Sequence, residues 1–484
     1  MWISVAIFLW PYHGALLTWD EVDYVNAAQL GVWANAIEKG SLTPLQFARL
    51  AKAKTSGQTY LSQGYDESKD PFLLRHFHPP LVIYLESLIL RLYGHPGERV
   101  VRSSQLCGAL ALIGALFLAY RSLGRQVQWP GMIVIALLAF WMCQSLFSSL
   151  QFHGWAAVWA VALSTVLFRW LDRFEASLAI AVSVSLALGA LTLETAAILL
   201  VGIFVCLILW RPRRMAVSRS SWWSGALVLT LTVLLVSLAW PGALLKLSPI
   251  KTLAMYLYRI RLGQEYAHIN YRSFLATLAP MLVLIPPAGA WLLFCDREHS
   301  RRWGPYVIIG AIYGLTMTKF AIGAYYLVAA LAPFTVVIAF AADRLRSTWA
   351  RTSIAAAVTI LVGLSTFSAY RSRPQQDPLG QDLPWLRESL RGREILADGA
   401  HIFRYYLGDD YVIQTIVPSY DGKLLERTEG KYSPLSPREV SGKIVLVLNR
   451  GSNELKPSEL DLLGHCSRRD GAFVRMYDCG EVVP

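Results

Sequence analysis

The sequence predicts a polytopic α-helical membrane protein with about eleven transmembrane helices and a small extracytoplasmic α/β domain at its C-terminal end. The chain has 484 residues, of which 55% are hydrophobic and 16% are charged, whereas about 25% of the residues in soluble domains are charged. Its apolar stretches are long enough to cross a bilayer core of about 30 Å. Many of its 17 tryptophans and 22 tyrosines lie near the ends of these stretches, as expected at membrane interfaces.

Eleven stretches have the length and hydrophobicity of membrane-crossing helices. They cover residues 2–19, 102–120, 130–148, 155–171, 176–192, 194–210, 222–240, 275–294, 305–318, 324–342 and 352–370. The apolar run from 176 to 210 is too long for one crossing and is divided near Glu194. The apolar stretch 79–93 is short and carries Glu86 and Arg91, so we place it in the membrane interface.

Arginine-rich loops set the predicted orientation. With the N-terminus inside, five short loops that contain arginine face the cytoplasm, as the positive-inside rule requires. If residues 79–93 crossed the membrane, all five loops would face outside. The net charge of +12 therefore reflects membrane topology, and the sequence contains no nucleic-acid-binding motif. The outer regions are then 20–101, 241–274 and 371–484.

Two domains are expected. Residues 1–370 would form the transmembrane domain, whose first outer loop, 20–101, carries the main motif. Residues 371–484 alternate short β-type runs with helical patterns, which favours an α/β domain. In that domain, Asp398, Asp409 and Asp410 are expected at the surface and in turns. An oxidising compartment would permit a disulfide between Cys466 and Cys479, and no cysteine spacing indicates zinc.

Three carboxylates follow the first predicted span within four residues, at Asp20, Glu21 and Asp23. Acidic residues favour the N-terminus of a helix, so a solvated helix start explains them as well. The functional interpretation is a carboxylate held at the membrane surface as a general base. A partly desolvated carboxylate beside another one would have a raised pKa, which suits proton abstraction.

Two further stretches carry candidate residues. His78 precedes Pro79 and Pro80, which form either an ordinary loop-to-helix junction or a rigid turn that presents His78 to a site. Lys319 lies at the outer end of the ninth span and is followed by Tyr325 and Tyr326. A lysine beside interfacial tyrosines commonly reaches toward the headgroups, but an ammonium and phenol hydroxyls also suit a phosphate.

These motifs together resemble the GT-C glycosyltransferases. The residues that carry the likeness are the Asp20-Glu21-x-x-Tyr24 motif after the first span, the His78–Leu81 motif and the late lysine with its two tyrosines. The chain is most similar to the group of dolichyl-phosphate-mannose–protein mannosyltransferases and aminoarabinose (lipid A) transferases. The likeness covers about residues 1–345.

The resemblance implies a reaction. Such enzymes move one sugar from a polyprenyl-phosphate donor to an acceptor on the extracytoplasmic face, usually with inversion. Asp20 would be the catalytic base, supported by Glu21 and Tyr24. His78 would shape a substrate pocket, and Lys319 with Tyr325 and Tyr326 would bind the donor phosphate. The expected setting is the inner (plasma) membrane of a bacterium, and the partners are the bilayer, the lipid-linked sugar and a glycolipid, polysaccharide or protein acceptor.

Some positions depart from the family pattern. Many relatives carry an acidic residue after the third span, where this chain offers Gln151 or His153. Many also carry a lysine after the fifth span, where this chain has Glu194, which either binds sugar hydroxyls or caps the next helix. Arg102 is either a phosphate ligand or a flank of the second span. No cofactor is firmly implied, and a divalent metal is possible but not indicated.

Two rival functions belong to other classes. A transporter or flippase of lipid-linked saccharides should show ionisable residues in midspan, broken helices and related halves, and most spans here lack midspan charge. A non-catalytic membrane receptor would leave the acidic cluster at Asp20 unexplained. The sugar, a hexose, pentose or aminosugar, is not determined by these residue types.

Overall fold

A computed structural model describes most of the chain. The described residues are 16–17, 20–39, 43–46, 48, 79–94, 97–124, 128–147, 152–173, 175–210, 219–251, 271–296, 300–320, 324–371, 378–408, 410–418, 424–428, 431–449 and 461–480. Within these ranges, the side chains of some residues near helix ends and in three strands are not described, among them those of Asp20, Glu194, Lys319, Tyr325 and Tyr326.

Helices account for the described part of the chain before residue 372. They are α1 (Asp20–Gln29), α2 (Gly31–Ala36), α3 (Leu81–Tyr93), α4 (Glu98–Leu123), α5 (Trp129–Leu146), α6 (Phe152–Arg173), α7 (Ala176–Thr192), a 3₁₀ turn (Glu194–Ile198), α8 (Leu199–Leu209), α9 (Arg219–Ala239), α10 (Gly242–Leu245), α11 (Tyr271–Cys295), α12 (Ser300–Phe320), α13 (Ala324–Arg344) and α14 (Thr348–Arg371). The helices from α4 to α14, apart from the short α10, coincide with the predicted spans.

The chain is an integral membrane protein with a helical fold. In the described residues, 6 helices are long and apolar enough to cross a bilayer, and three shorter apolar helices accompany them. The first predicted span, 2–19, lies largely outside the described residues, so the number of crossings stays a prediction. Helix α3 has 13 residues, which gives it a length of about 20 Å and makes it too short to cross the bilayer alone.

Two compact units divide the chain. One contains Leu30–Glu38 and Arg75–Arg373, and the other contains Gly14–Gln29 and Pro374–Pro484. The first also takes in Met1–His13, and the second Lys39–Leu74. The second unit therefore groups α1 with the C-terminal residues, although more than 340 residues separate them along the chain. The predicted division into residues 1–370 and 371–484 stays a prediction.

A carboxylate on one helix caps the start of another in the helical unit. Asp343 on α13 accepts hydrogen bonds from the backbone N–H groups of Gly131 (2.8 Å) and Gln128 (3.3 Å) at the start of α5, and from the Tyr120 hydroxyl. The first N–H groups of a helix have no partner within that helix, and a negative charge there is favourable. This contact fixes α13 against α5. It also leaves no room for a side chain at position 131, where a Cβ atom would lie 2.6 Å from an Asp343 oxygen.

The C-terminal residues form a mixed sheet with helices. Its strands are β1 (Ile395–Asp398), β2 (Ile413–Pro418), β3 (Leu424–Thr428), β4 (Lys431–Pro434), β5 (Ile444–Leu448), β6 (Ser467–Asp470) and β7 (Val474–Asp478), and its helices are α15 (Pro378–Ser389), α16 (Ala400–Leu407) and α17 (Pro437–Val440). The order across the sheet is β4-β3-β2-β1-β5-β7-β6. Strand β1 pairs in parallel with β2 and with β5, and the outer strands are antiparallel.

The apolar strands could be predicted from the sequence, and the polar ones could not. Strands β1, β2, β5 and β7 lie at the β-type runs predicted at 394–397, 411–417, 443–448 and 472–477, whereas β3, β4 and β6 were not predicted. Strand β6 is exposed along its whole length, so no burial pattern marks it. The surface position expected for Asp398 is wrong, because this residue ends the central strand and is only 5% exposed. Cys466 and Cys479 form a disulfide.

A buried carboxylate organises the β6–β7 turn. Asp382, on α15 and 3% exposed, accepts backbone N–H bonds from Ala472 (2.9 Å), Phe473 (2.6 Å) and Val474 (3.1 Å). Trp385, one turn further along the helix, donates its indole N–H to the same carboxylate at 3.3 Å. Three backbone donors in a row therefore depend on one side chain.

We expect Asp382→Ala to destabilise the protein by roughly 2–4 kcal/mol, because several buried donors would lose a charged acceptor. Asp470→Asn is the matched control, since that carboxylate is 56% exposed and pairs with Arg468 at the surface. We expect this variant to change the free energy of unfolding by no more than about 0.5 kcal/mol. Thermal unfolding of the full-length protein in detergent measures both. Equal midpoints for the two variants would contradict a structural role for Asp382.

Candidate functional site

The predicted catalytic motif lies on a short helix. Asp20 is the first residue of α1, a helix of 10 residues, so the expected helix start is observed. Glu21 and Tyr24 lie one turn apart and are 7% and 2% exposed. Both side chains are therefore buried, and their supporting role stays a prediction.

Helix α1 contacts α16 of the sheet domain within the same compact unit. The Nε2 atom of His401 lies 3.6 Å from Oδ2 of Asp23. Just before α1, the backbone N–H of Leu17 donates to the Tyr406 hydroxyl at 2.5 Å. Sequence reasoning assigned no role to either α16 residue, because each lies more than 370 positions from its partner and neither belongs to a recognisable motif.

In the helical unit, the proline turn lies against the end of α7. His78 is outside the described residues, while Pro80 caps the start of α3. The side chain of Leu81 packs against a small buried cluster of Leu191, Trp240 and Ala243. The Tyr84 hydroxyl donates to the carbonyl oxygen of Ala239 at 2.7 Å. The structure thus brings the proline motif next to the segment that precedes Glu194.

Glu194 begins the 3₁₀ turn between α7 and α8. The preceding residue, Leu193, is extended and buried, so α7 ends at the point where the run 176–210 is divided in the sequence analysis. The indole of Trp159 donates to the Thr192 hydroxyl at 3.0 Å and fixes the end of α7. Whether Glu194 binds a sugar or caps the next helix stays a prediction.

Glu38 is a buried charged residue that the sequence analysis missed. It is 1% exposed and accepts hydrogen bonds from the Trp240 indole (2.8 Å) and the Ser248 hydroxyl (2.5 Å). Its carboxylate lies 3.9 Å from the ammonium of Lys251, whose side chain is 3% exposed. Its backbone has φ +53°, a conformation that is uncommon outside glycine. No local pattern in the sequence marks this residue.

Arg102 and His153 are both buried in the helical unit, at 7% and 6% exposure. A guanidinium nitrogen of Arg102 donates to Gln105 on the same helix at 3.2 Å. His153 is the second residue of α6, where the ring of Phe147 fills the space beside two glycines, Gly108 and Gly154. Whether Arg102 binds a phosphate or only flanks the second span stays a prediction.

The expected phosphate ligands lie at facing ends of consecutive helices. Lys319 is the penultimate residue of α12, and Tyr325 and Tyr326 are in the first turn of α13. The backbone therefore places the three residues around one short connection. Their roles, like those of Arg102 and His153, stay predictions.

One group of three metal-ligating side chains occurs among the described residues. It consists of His465, Cys466 and Cys479. Both sulfurs are joined in the disulfide, so neither is a thiolate, and thiolates are the form in which cysteine binds metals. The dependence of the protein on a metal is left open.

Comparison with solved structures identifies the fold. ArnT from Cupriavidus metallidurans in the apo state matches with a TM-score of 0.56 and 12% sequence identity, over 98% of this chain and 96% of that chain. The chain has the GT-C fold. ArnT from the same organism bound to undecaprenyl phosphate matches with a TM-score of 0.51 and 12% identity, over 94% of this chain and 97% of that chain.

The GT-C fold agrees with the resemblance drawn from the motifs at Asp20, His78 and Lys319. No protein-family profile matches the sequence, and the search of curated proteins finds no match. The match to ArnT includes the C-terminal residues, because it extends over nearly the whole of both chains. At 12% identity the likeness establishes the fold, and the activity has to be argued from the residues.

Proposed function

We propose that this protein is an inverting glycosyltransferase that moves a single sugar from a polyprenyl-phosphate donor to an acceptor hydroxyl on the extracytoplasmic membrane face. The observation that carries the proposal is the GT-C fold over nearly the full chain, with Asp20 at the start of a helix directly after the first predicted span. ArnT, which has this fold, has been crystallised with undecaprenyl phosphate.

The reaction needs a base at the acceptor and cations at the leaving group. In the proposed mechanism, the carboxylate of Asp20 removes the proton of the acceptor hydroxyl. The acceptor oxygen attacks the anomeric carbon from the face opposite the phosphate, which inverts that centre. The bond between this carbon and the phosphate oxygen breaks, and polyprenyl phosphate leaves as a phosphomonoester anion.

Fixed cations and hydroxyl donors stabilise such a leaving group. Lys319, with Tyr325 and Tyr326, supplies an ammonium and two phenol groups around one helix connection, and Arg102 offers a buried guanidinium. His78, His153 and Glu194 are assigned to the sugar or acceptor pocket. A divalent metal, if one is bound, would add to the positive charge at the phosphate.

The disulfide supports the extracytoplasmic position of the sheet domain. Disulfides persist in oxidising compartments such as the bacterial periplasm and are rare in the cytosol. The Cys466–Cys479 bond therefore agrees with the orientation derived from the arginine-rich loops, which assigns residues 371–484 to the outer side. The membrane concerned would be the inner membrane of a bacterium.

The direct test is the release of polyprenyl phosphate by the purified protein in nanodiscs. A panel of polyprenyl-phosphate hexoses, pentoses and aminosugars would be supplied with a membrane extract as acceptor, and we expect release with one donor class. A transporter or flippase would instead move the intact lipid-linked sugar between leaflets of proteoliposomes. Movement of the lipid without release from any donor would overturn the proposal.

Lys319→Met is expected to raise KM for the donor roughly 10- to 100-fold, because a charge-assisted hydrogen bond contributes about 1.5–3 kcal/mol. Donor titrations of the release reaction measure the change. The matched control is Arg121→Gln at the predicted cytoplasmic end of α4, which should leave KM unchanged. An unaltered KM in Lys319→Met would assign the donor phosphate to other residues.

A further inference from the structure

The parallel strands of the C-terminal sheet have their carboxyl ends at one edge. Strand β1 lies between β2 and β5, and all three are parallel. The chain leaves β1 through α16 toward β2, while β5 lies on the other side of β1. In open α/β sheets, ligands bind at the carboxyl ends of the strands at such a reversal of strand order. Here the edge is formed by buried Asp398, Gly399 in a left-handed conformation and the start of α16.

Helix α1 contacts the helix that begins at this edge. His401 is the second residue of α16, and its Nε2 atom lies 3.6 Å from the Asp23 carboxylate. The two side chains are 38% and 25% exposed, so the pair is accessible to solvent on one side. A second contact, from the Leu17 N–H to the Tyr406 hydroxyl at 2.5 Å, holds the segment immediately before α1.

We propose that His401 is a positioning residue for sugar transfer, which orients the helix that carries Asp20 by pairing with Asp23. The sheet domain would then form part of the transfer site. This inference rests on the proposed function, since it assigns to His401 an effect on the reaction at Asp20. It gives α16 a role in the reaction.

A helix as short as α1 depends on its contacts with the rest of the unit. Isolated helices of fewer than about 12 residues are marginal in water, and α1 has 10. Its buried residues, Val22, Tyr24 and Val25 among them, hold one face, whereas Asp23 lies on a partly exposed one. Residues three apart share a helix face, so any rotation of α1 about its axis moves Asp20 and Asp23 together. A displacement of about 1 Å at a catalytic group can cost about 100-fold in rate.

Three variants test the pairing by kinetics. In His401→Leu and in Asp23→Asn, kcat should fall about 10-fold while KM for the donor stays within about 2-fold, as expected when orientation is lost without loss of binding. The double variant should be no slower than either single one, because the two side chains act through one contact. His401→Gln, whose amide could donate a hydrogen bond to Asp23, should recover kcat to within about 3-fold of the wild type.

A comparable ion pair at the opposite edge of the sheet provides the control. Arg393 precedes β1, and its guanidinium lies 2.7 Å from the carboxylate of Asp478, with side-chain exposures of 36% and 35%. Arg393→Gln removes a similarly exposed pair from the same domain but far along the strand direction from Asp23. Its kcat should equal that of the wild type.

Several results would overturn the positioning role. One is a kcat for His401→Leu within 2-fold of the wild-type value. Another is a double variant whose loss of kcat is the product of the losses in the two single variants. A third is a loss of kcat in Arg393→Gln equal to that in His401→Leu. A much larger fall of kcat in Asp23→Asn than in His401→Leu would also overturn the positioning role, because it would identify Asp23 as a reacting group. Failure of the wild type to release polyprenyl phosphate would overturn the proposed function itself. In that case, a double-mutant cycle that compares the thermal unfolding midpoints of the wild type, the two single variants and the double variant would still report the pairing of Asp23 with His401.

Discussion

Asp20→Asn is expected to lower the rate of sugar transfer by about 10²- to 10⁴-fold, the range that a positioned general base contributes. Asparagine has nearly the same shape as aspartate but cannot accept the proton of the acceptor hydroxyl. Donor binding should persist, because the phosphate ligands are assigned elsewhere. The measurement is free polyprenyl phosphate released per unit time, together with the Kd of the donor for the inactive variant.

Asp172→Asn is the matched control for this experiment. Asp172 is an exposed carboxylate at the end of α6, on the predicted cytoplasmic side, and its variant should transfer sugar at the wild-type rate. If Asp20→Asn kept more than about a third of that rate while folded, a different residue would have to be the base. A transporter or a receptor would show little change in its own activity with this variant.

Glu38→Ala is expected to destabilise the helical unit by roughly 3–5 kcal/mol, the cost of removing one partner of a buried charged pair. The substitution takes a carboxylate away from the Trp240 indole, the Ser248 hydroxyl and the Lys251 ammonium at once. Glu38→Gln retains one acceptor oxygen and should reduce the free energy of unfolding by less than Glu38→Ala does. Thermal unfolding of the full-length protein in detergent provides the comparison.

The control for Glu38 is an ion pair with the same separation in a different environment. Glu175 and Arg173 also lie 3.9 Å apart, but their side chains are 52% and 69% exposed. Exposed pairs contribute about 0–1 kcal/mol, so Glu175→Ala should barely change the unfolding midpoint. Similar midpoints for Glu38→Ala and Glu175→Ala would mean that burial does not strengthen the dependence on Glu38.

The membrane helices could be predicted because a bilayer imposes one simple pattern. An apolar stretch of about 20 residues has few alternatives to a helix in hydrocarbon, and the predicted span 176–192 coincides with helix α7. The strands of the C-terminal sheet were harder to predict from the sequence. Strand β6 consists of Ser467–Asp470, all exposed, and only its pairing with β7 makes it a strand.

The residues of the candidate site also differ in how far they could be predicted from the sequence. The Asp20 motif and the proline turn are local in sequence, so their residue types and spacing could be recognised directly. Glu38 and His401 could not, because their importance comes from partners far away. Trp240 lies 202 residues after Glu38, and no repeat or motif connects them. Long-range pairs of this kind become visible only when the chain is folded.

The grouping of α1 with the last part of the chain has a consequence for biosynthesis. The contact of Leu17 with Tyr406 spans 389 residues. At about 5–20 residues per second, the ribosome needs roughly 20–80 s to make the partner of a segment that left it first. During that interval, α1 lacks the helix against which it packs. A chain that is terminated early would therefore contain the acidic motif without the contact between Asp23 and His401, and we expect such a chain to be inactive.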